Sequence, residues 1–420
     1  MNRRAFVVSV GAAIVGFDPL TRRWLTAAEA AGRPSFGNVP PLDGTLVVDP
    51  AALAAVAVDQ GNIVHRTPGA VLRPGSVRDI GAMIRYCGDR DIPVSVRGQG
   101  HTMFGDALCA GGLVIENRCL DQIHSIGPDS ADVDTGVLWR DLVTAAFEHR
   151  LRPRVLTGYT ELTVGGTLSV GGVGGLMGGV HDGLMVDHVR RLQVVTGTGL
   201  VQDCTPERNG ALFDAVLAGL GQFGVMTRAT VDLVPAKEKA RSYQLRYPDS
   251  ASAFQDLRTL LDRPGLDHVL LAAAPPGTPG VAYVINATAF FDAAAPPNDT
   301  RLVGGLSAAP VIQDAAYLDY AFRGDTVIDN NRATLGWDRF VKPWFNVWLP
   351  ESTVERYVSG VVAGLAPRDV GATGSAALFP QRRNRVTRPF LRLPEPDGST
   401  RRRRQASGRV TSGEHLRDRT

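Results

Sequence analysis

From Gly165 to Gly179 the chain reads Gly165-Gly166-Thr167-Leu168-Ser169-Val170-Gly171-Gly172-Val173-Gly174-Gly175-Leu176-Met177-Gly178-Gly179, with eight glycines in that stretch. Glycine forfeits stability in helix and strand alike, so a run this dense needs a compensating partner that requires bare backbone. A flexible linker is the plain alternative, but linkers favour serine over aliphatics, and here Leu, Val and Met are interleaved. The segment therefore reads as a packed loop against which a bulky planar or phosphorylated ligand lies.

A second glycine segment lies upstream: Val96-Arg97-Gly98-Gln99-Gly100-His101-Thr102-Met103-Phe104-Gly105-Asp106-Ala107, a strand running into glycines that bracket one histidine and one hydroxyl. Without Cβ atoms in the way, successive N–H groups close on a phosphate as an anion-binding nest. His101 on such a loop is a candidate nucleophilic ligand for a cofactor; standing alone it would read as a turn histidine bonded to its own backbone. A third segment, Gly219-Leu220-Gly221-Gln222-Phe223-Gly224, fits the GxGxxG dinucleotide pattern. Its context is reversed, because a helix over 211–217 precedes it and a strand over 225–234 follows, whereas a Rossmann turn has strand first and helix second. It is discounted, and no Walker A, HExxH or Gly-x-Ser-x-Gly pattern occurs.

These motifs sit in an α+β pattern. Ser76-Val77-Arg78-Asp79 reads as a capping-box helix start followed by Ile80, Met83, Ile84 and Cys87 at helical spacing, and a strand follows Ile92-Pro93. Leu113-Val114-Ile115 is a further short strand, and Thr196-Gly197-Thr198-Gly199 joins two apolar runs as a hairpin. After Pro235 the pattern weakens, with Pro-rich breaks at Ala274-Pro275-Pro276 and Ala295-Pro296-Pro297, which sets a domain boundary there. The expected organisation is a cofactor-binding domain over 60–235 and a second, cap or substrate domain over 236–394.

The two termini differ from this body. Arg3-Arg4-Ala5-Phe6 leads into an apolar run to Phe17 that is too short to span a bilayer, and Ala28-Glu29-Ala30 offers a cleavage site; residues 1–30 resemble a twin-arginine export signal. Residues 399–420 hold seven arginines and few apolar residues, too little to offset the entropy of ordering them. Removing the charges of both ends from the formal +3 leaves about −4 for residues 31–398. A mildly acidic body argues against a nucleic-acid partner, whose phosphates demand Lys and Arg. Cys87, Cys109, Cys119 and Cys204 lack metal-binding spacing, leaving buried thiols or, after export, a disulfide.

Taken together, three segments resemble the FAD-linked oxidase family with the vanillyl-alcohol-oxidase, or PCMH-type, FAD-binding fold, and within it cytokinin dehydrogenase and its bacterial relatives. They are Arg97-Gly98-Gln99-Gly100-His101-Thr102, Leu162-Thr163-Val164-Gly165-Gly166-Thr167-Leu168-Ser169, and the run from Leu212 to Arg228. Weaker matches continue through Pro343-Trp344-Phe345-Asn346 and Leu378-Phe379-Pro380. The resemblance implies a PCMH-type domain of two subdomains followed by an α+β cap, with FAD linked covalently through His101. It implies that Gly98, Gln99, Gly100, Thr102, Asp106 and Ala107 line the pyrophosphate side, and that Thr163, Ser169, Val173 and Met226 make further flavin contacts. A second, cysteinyl link has no counterpart around 155–180.

The implied reaction moves hydride from a C–H beside an N–H of a small, cytokinin-like amine to the flavin, with oxygen or a quinone-like acceptor taking the electrons. Oxidation of an alcohol or sugar hydroxyl in the same fold is the alternative, and a catalytically impaired flavin binder a third. The last arises because the aspartate that accepts the substrate proton in cytokinin dehydrogenases falls at Gly158, in Thr157-Gly158-Tyr159-Thr160-Glu161. Tyr159, Glu161 and the His181-Asp182 pair are the candidate replacements. Family members continue past the segment like 387–394 and return to the flavin, whereas the text after Gly398 resembles a shifted reading frame.

Overall fold

The computed structural model describes residues 36–175, 177–178, 180–278, 282–374 and 376–395, together with the backbone of 14–18 and 23–26, which pair as an antiparallel hairpin. The rest of the expected export signal, and the tail over 399–420, lie outside the described residues.

Four strands, β1 (Thr45–Val47), β2 (Ala70–Arg73), β3 (Val94–Arg97) and β4 (Leu113–Glu116), form a sheet in the order β1-β2-β4-β3. The last three are parallel and β1 is antiparallel, so the first sheet takes in chain before residue 60. Parallel neighbours need a crossover. Helix α1 (Pro50–Ala55) precedes β2, and α2 (Val77–Gly88) links β2 to β3, burying Ile80, Met83, Ile84 and Cys87 in one cluster with Leu72, Leu113 and Ile115. The helix starts where the sequence places it, but the capping box does not form. Ser76 Oγ donates to Asp43 at 2.6 Å, because β1 brings Asp43 alongside, and the Ser76 side chain makes no cap bond. Asp79 instead accepts the backbone N–H groups of Asp43, Gly44 and Gly75 at 2.8, 2.7 and 2.9 Å.

The second sheet is antiparallel. It comprises β5 (Ile123–Ile126), β6 (Ser130–Asp134), β7 (Leu151–Pro153), β8 (Val189–Val195), β9 (Val201–Cys204) and β10 (Val225–Pro235), in the order β9-β8-β10-β6-β5, with β7 on the far end of β10. The expected hairpin is present, with Leu192 opposite Cys204 and Val195 opposite Val201. Helices α3 (Trp139–Glu148), α4 (Val164–Val170) and α5 (Gly210–Val216) close its core through Trp139, Leu142, Leu168 and Phe213. Thus the glycine run begins as a helix. Burial of Val164 and Leu168 outweighs the poor propensity of Gly165 and Gly166, and Thr163 caps the first turn by accepting from Gly166 N.

The third sheet, β11 (Lys239–Tyr247), β12 (His268–Ala273), β13 (Tyr283–Phe291), β14 (Val311–Ala316) and β15 (Ala376–Leu378), is antiparallel in the order β14-β11-β13-β12-β15. Its core clusters Tyr243, Leu245 and Ile285 with Phe254, Leu257 and Leu260 of α6 (Ser250–Leu261). Helices α7 (Asp299–Val303), α8 (Tyr317–Ala321), α9 (Arg323–Leu335), α10 (Glu351–Gly364) and α11 (Pro367–Val370) complete this part. Chain order and packing diverge at its edges, because Tyr317 and Tyr320 of α8 join the core of the second sheet. Beyond β15 the chain returns to that sheet's domain: Thr387 donates its N–H and hydroxyl to Asp187 at 2.8 and 2.7 Å, and Arg388 lies 5.2 Å over the Phe213 ring. The cysteines are free thiols, buried at Cys87, Cys109 and Cys204 and exposed at Cys119.

Asp79 is the electrostatic pin of the first sheet. Burial alone raises a carboxyl pKa, but here the surrounding backbone N–H groups outweigh it and hold Asp79 below the usual value. A depressed value makes its stabilisation complete above the ordinary aspartate pKa and lost as pH falls through the folded-state one. Asp79→Asn is expected to cost about 2 kcal/mol near neutrality. The gap in Tm between variant and wild type should close in acid, as thermal melts across pH 2–7 will measure.

Candidate active site

Strand β3 ends at Arg97, and the loop that follows is shaped by what its glycines touch. A Cβ on Gly98 would stand 2.2 Å from Thr163 Oγ1, so the histidine loop lies flush on the cap of α4. Gly100 has φ +67°, the left-handed region that favours glycine, and a Cβ there would meet the Arg97 guanidinium at 2.2 Å. The two glycine motifs, far apart in sequence, therefore form one surface. A turn at 59–61 braces the loop from behind: Gln60 N donates to Gly100 O at 2.8 Å, Gly61 N to Thr102 O at 3.0 Å, and Asp59 accepts from Thr102 Oγ1 at 2.8 Å and Gly105 N at 2.7 Å.

His101 stands on this surface between two aromatic rings, Tyr159 with centroids 5.3 Å apart and Trp344 at 6.4 Å in an edge arrangement. Burial lowers its pKa to about 4, so the imidazole is neutral at physiological pH, and Nε2 is buried without a hydrogen-bond partner. Tyr159 is buried as well. Its hydroxyl donates to Glu161 Oε2 at 2.9 Å and accepts from Arg332 Nη1 at 3.1 Å, and burial pushes its pKa up to about 12. Gly158 is exposed, and a Cβ there would meet nothing nearer than Gly175 Cα at 3.9 Å. That position has room for a side chain.

Helix α9 holds this strip of chain in two places. Arg332 reaches Tyr159, and Asp325, 1% exposed, accepts from Thr160 N at 2.7 Å, from Thr160 Oγ1, and from Arg140 Nη1 at 2.9 Å. The segment after α9 is tied to the turn under the histidine loop by Lys342 N donating to Gly61 O at 2.9 Å, which brings Trp344 to His101.

The remaining sequence candidates spread along the same surface. Gln99 accepts from Arg118 at 3.0 Å; Asp106 is exposed; Ala107 is buried and its carbonyl accepts from Ser95 Oγ at 3.2 Å. Ser169 Oγ donates to Gly165 O at 2.7 Å inside α4, and Val173 is exposed beyond it. Met226 is buried, and it joins α4 through Thr135, whose Oγ1 donates to Met226 O at 2.6 Å while its carbonyl accepts from Gly165 N at 2.8 Å. Of the candidate bases, Tyr159 and Glu161 come together beside His101. His181 is exposed and Asp182 is paired with Arg154 at 3.3 Å, with no contact to His101 among the described residues. Sequence reading missed Asp59, Asp325 and Arg332 as parts of the site. Trp344 had an advance signal in the Pro343-Trp344-Phe345-Asn346 match, whereas Asp59, Asp325 and Arg332 belong to no motif.

Four buried side-chain atoms on this loop and turn have no hydrogen-bond partner: Asp59 Oδ1, Gln60 Nε2, Arg97 Nη1 and His101 Nε2. Buried polar atoms are ordinarily paired, so Arg97 Nη1, Gln60 Nε2 and His101 Nε2 keep hydrogen-bonding capacity for a bound group. A cationic guanidinium and an amide donor suit phosphate, while a neutral imidazole between aromatic rings suits a flat ring system. The residues fit a dinucleotide that carries both. Among the described residues no cluster of His, Cys, Asp and Glu could hold a metal ion, and no helix is long and apolar enough to cross a membrane.

Comparison with known proteins adds the chemistry. The family profile described as FAD binding domain matches residues 68–205. The chain is 33% identical over 360 residues to an uncharacterized oxidoreductase of the fasciation locus of Rhodococcoides fascians, covering 85% of this chain and 81% of that one. It is 32% identical over 391 residues to cytokinin dehydrogenase 2 of Arabidopsis thaliana, covering 85% and 77%. Cytokinin dehydrogenase 10 of Oryza sativa subsp. japonica is 32% identical over 385 residues, covering 80% and 69%.

Proposed function

Because the chain belongs to the FAD-linked oxidoreductase family of the cytokinin dehydrogenases, we propose that it oxidises the CH–NH bond of a small, cytokinin-like amine with FAD joined to His101. The observation that carries this reading is the neutral His101 imidazole, with its free Nε2, packed against Tyr159 at the seam of the two glycine motifs. When bound, FAD supplies the hydride acceptor. The chain's part is to hold the cofactor, shield the site and take the proton that remains. Gly98, Gln99, Gly100, Thr102, Asp106 and Ala107 would line the pyrophosphate, with Arg97 beneath them; Thr163, Ser169, Val173 and Met226 would carry the rest. Oxygen or a quinone-like acceptor would complete the cycle.

The proton is the weak point of the site. With glycine at 158, the nearest route is Tyr159 Oη receiving a proton from substrate while passing its own to Glu161, a transfer the 2.9 Å hydrogen bond supports. Arg332 on the same hydroxyl keeps that tyrosine oriented. The open space at Gly158 also favours a second reading, a slow or impaired flavoprotein, and it leaves alcohol or sugar oxidation as the competing substrate class. Export through the Arg3-Arg4 signal is part of the same proposal, since that route carries folded, cofactor-loaded proteins.

Three outcomes are expected. Yellow colour should stay with the wild-type polypeptide after acid precipitation and leave a His101→Ala variant; flavin released from the wild type would refute the covalent bond. Oxidation of an isoprenoid adenine should be slow in wild type and rise about tenfold or more in Gly158→Asp, the gain a positioned base gives. Fast wild-type turnover that the aspartate does not improve would assign the base elsewhere. Replacing Arg3 and Arg4 with lysine should hold the protein in the cytoplasm with its flavin content unchanged, and undiminished secretion would rule out this route.

A further inference from the structure

We propose that Asp59 is the positioning residue of the cofactor loop: its carboxylate fixes His101 in register for attachment by holding Thr102 and Gly105 on the far side of the histidine. The inference rests on the reading of His101 as the flavin-linked residue.

The geometry that carries it is asymmetric. Each side of His101 is fixed by a main-chain bond from one short turn, and the far side alone adds a side-chain acceptor. On the near side, Gln60 N donates to Gly100 O; on the far side, Gly61 N donates to Thr102 O. Main-chain bonds alone leave the stretch from Thr102 to Gly105 free to rotate, and this is where Asp59 acts. One oxygen, Oδ2, takes both Thr102 Oγ1 at 2.8 Å and Gly105 N at 2.7 Å, closing the bend that Gly105 makes at φ +85°. The turn lies directly against the loop, because a Cβ on Gly61 would stand 2.0 Å from Met103 O. Asp59 is 5% exposed, and its second oxygen has no partner at all. A buried carboxylate with half its capacity unused is a costly way to close a loop, so stability alone does not account for it. Its carboxylate interacts electrostatically with Arg97, the cation under Gly100, and with Lys342, in the segment that delivers Trp344.

Attachment replaces the imidazole N–H and one C–H of the flavin 8α-methyl with an N–C bond. The two hydrogens leave with their two electrons to dioxygen, as hydrogen peroxide. His101 is already neutral, so what limits the bond is alignment, where displacements near 1 Å are worth large factors in rate.

The test uses full-length protein made under riboflavin limitation, given FAD and quenched in acid at intervals, so that attached flavin is read as colour retained on the precipitated chain. Total bound flavin is read by gel filtration before quenching. Asp59→Asn and Thr102→Val are expected to bind FAD yet attach it at least about tenfold more slowly than wild type, while Thr102→Ser attaches at the wild-type rate. Wild-type attachment rates in Thr102→Val overturn the proposal, and that variant decides alone if Asp59→Asn does not fold. If the wild-type chain never retains flavin, the covalent reading fails by itself; Asp59 is then judged by FAD affinity, and an unchanged Kd in Thr102→Val overturns its role.

Discussion

The contact on which the rest of this site depends is the one between Gly98 and Thr163, where the absence of a single Cβ lets the histidine loop lie on the cap of α4. The two segments belong to different sheets, one mostly parallel and one antiparallel, whose cores meet where Val195 and Val225 enter the first cluster. Glycine at 98 and the Thr163 cap thus make a joint between subdomains as well as a surface for a ligand. The conformational entropy lost by so many glycines is offset by Val164, Leu168 and Met177, each fully buried. What looks like a flexible run opens as a helix packed on the core through Val164 and Leu168.

The cap domain contributes more than a roof. Helix α9 grips the strip from Gly158 to Glu161 through Asp325 and Arg332, and the segment after it is fastened at Gly61. The glycine run is held from the same side, with His268 Nδ1 donating to Gly178 O at 3.0 Å and Tyr317 Oη to Met177 Sδ at 3.2 Å. Tyr159 is therefore carried by one domain and held in place from the other, with Arg332 of α9 5.7 Å over its ring.

Electrostatically the site keeps its two packed rings, His101 and Tyr159, uncharged. Burial lowers His101 and raises Tyr159, so both are neutral over the physiological range, and the nearby formal charges belong to Arg97, Arg332, Lys342, Glu161 and Asp59. A neutral nitrogen is the nucleophilic form of imidazole, and a protonated phenol hydrogen-bonded to a carboxylate is arranged to relay a proton. The same burial that gives the rings their packing sets their protonation.

By itself the sequence determined the elements and the chemistry of the loops. The α2 periodicity, the hairpin around Gly197, the reversed context of Gly219 to Gly224 and the glycine bracketing of the His101 loop were all legible, because each is written in a short span of residues with its own stereochemical signature. Local reading erred where a neighbour from afar intervened, as at Ser76, whose hydroxyl goes to Asp43, and at Val164–Val170, where burial makes a helix of a glycine-rich stretch. Asp59, Asp325 and Arg332 left no trace, since an isolated acid or arginine looks the same on a surface as in a site. Only the tertiary structure decided their roles, because the hydrogen bonds that define them join residues up to 185 positions apart, and such pairings are fixed by how sheets and cap pack and not by any local pattern.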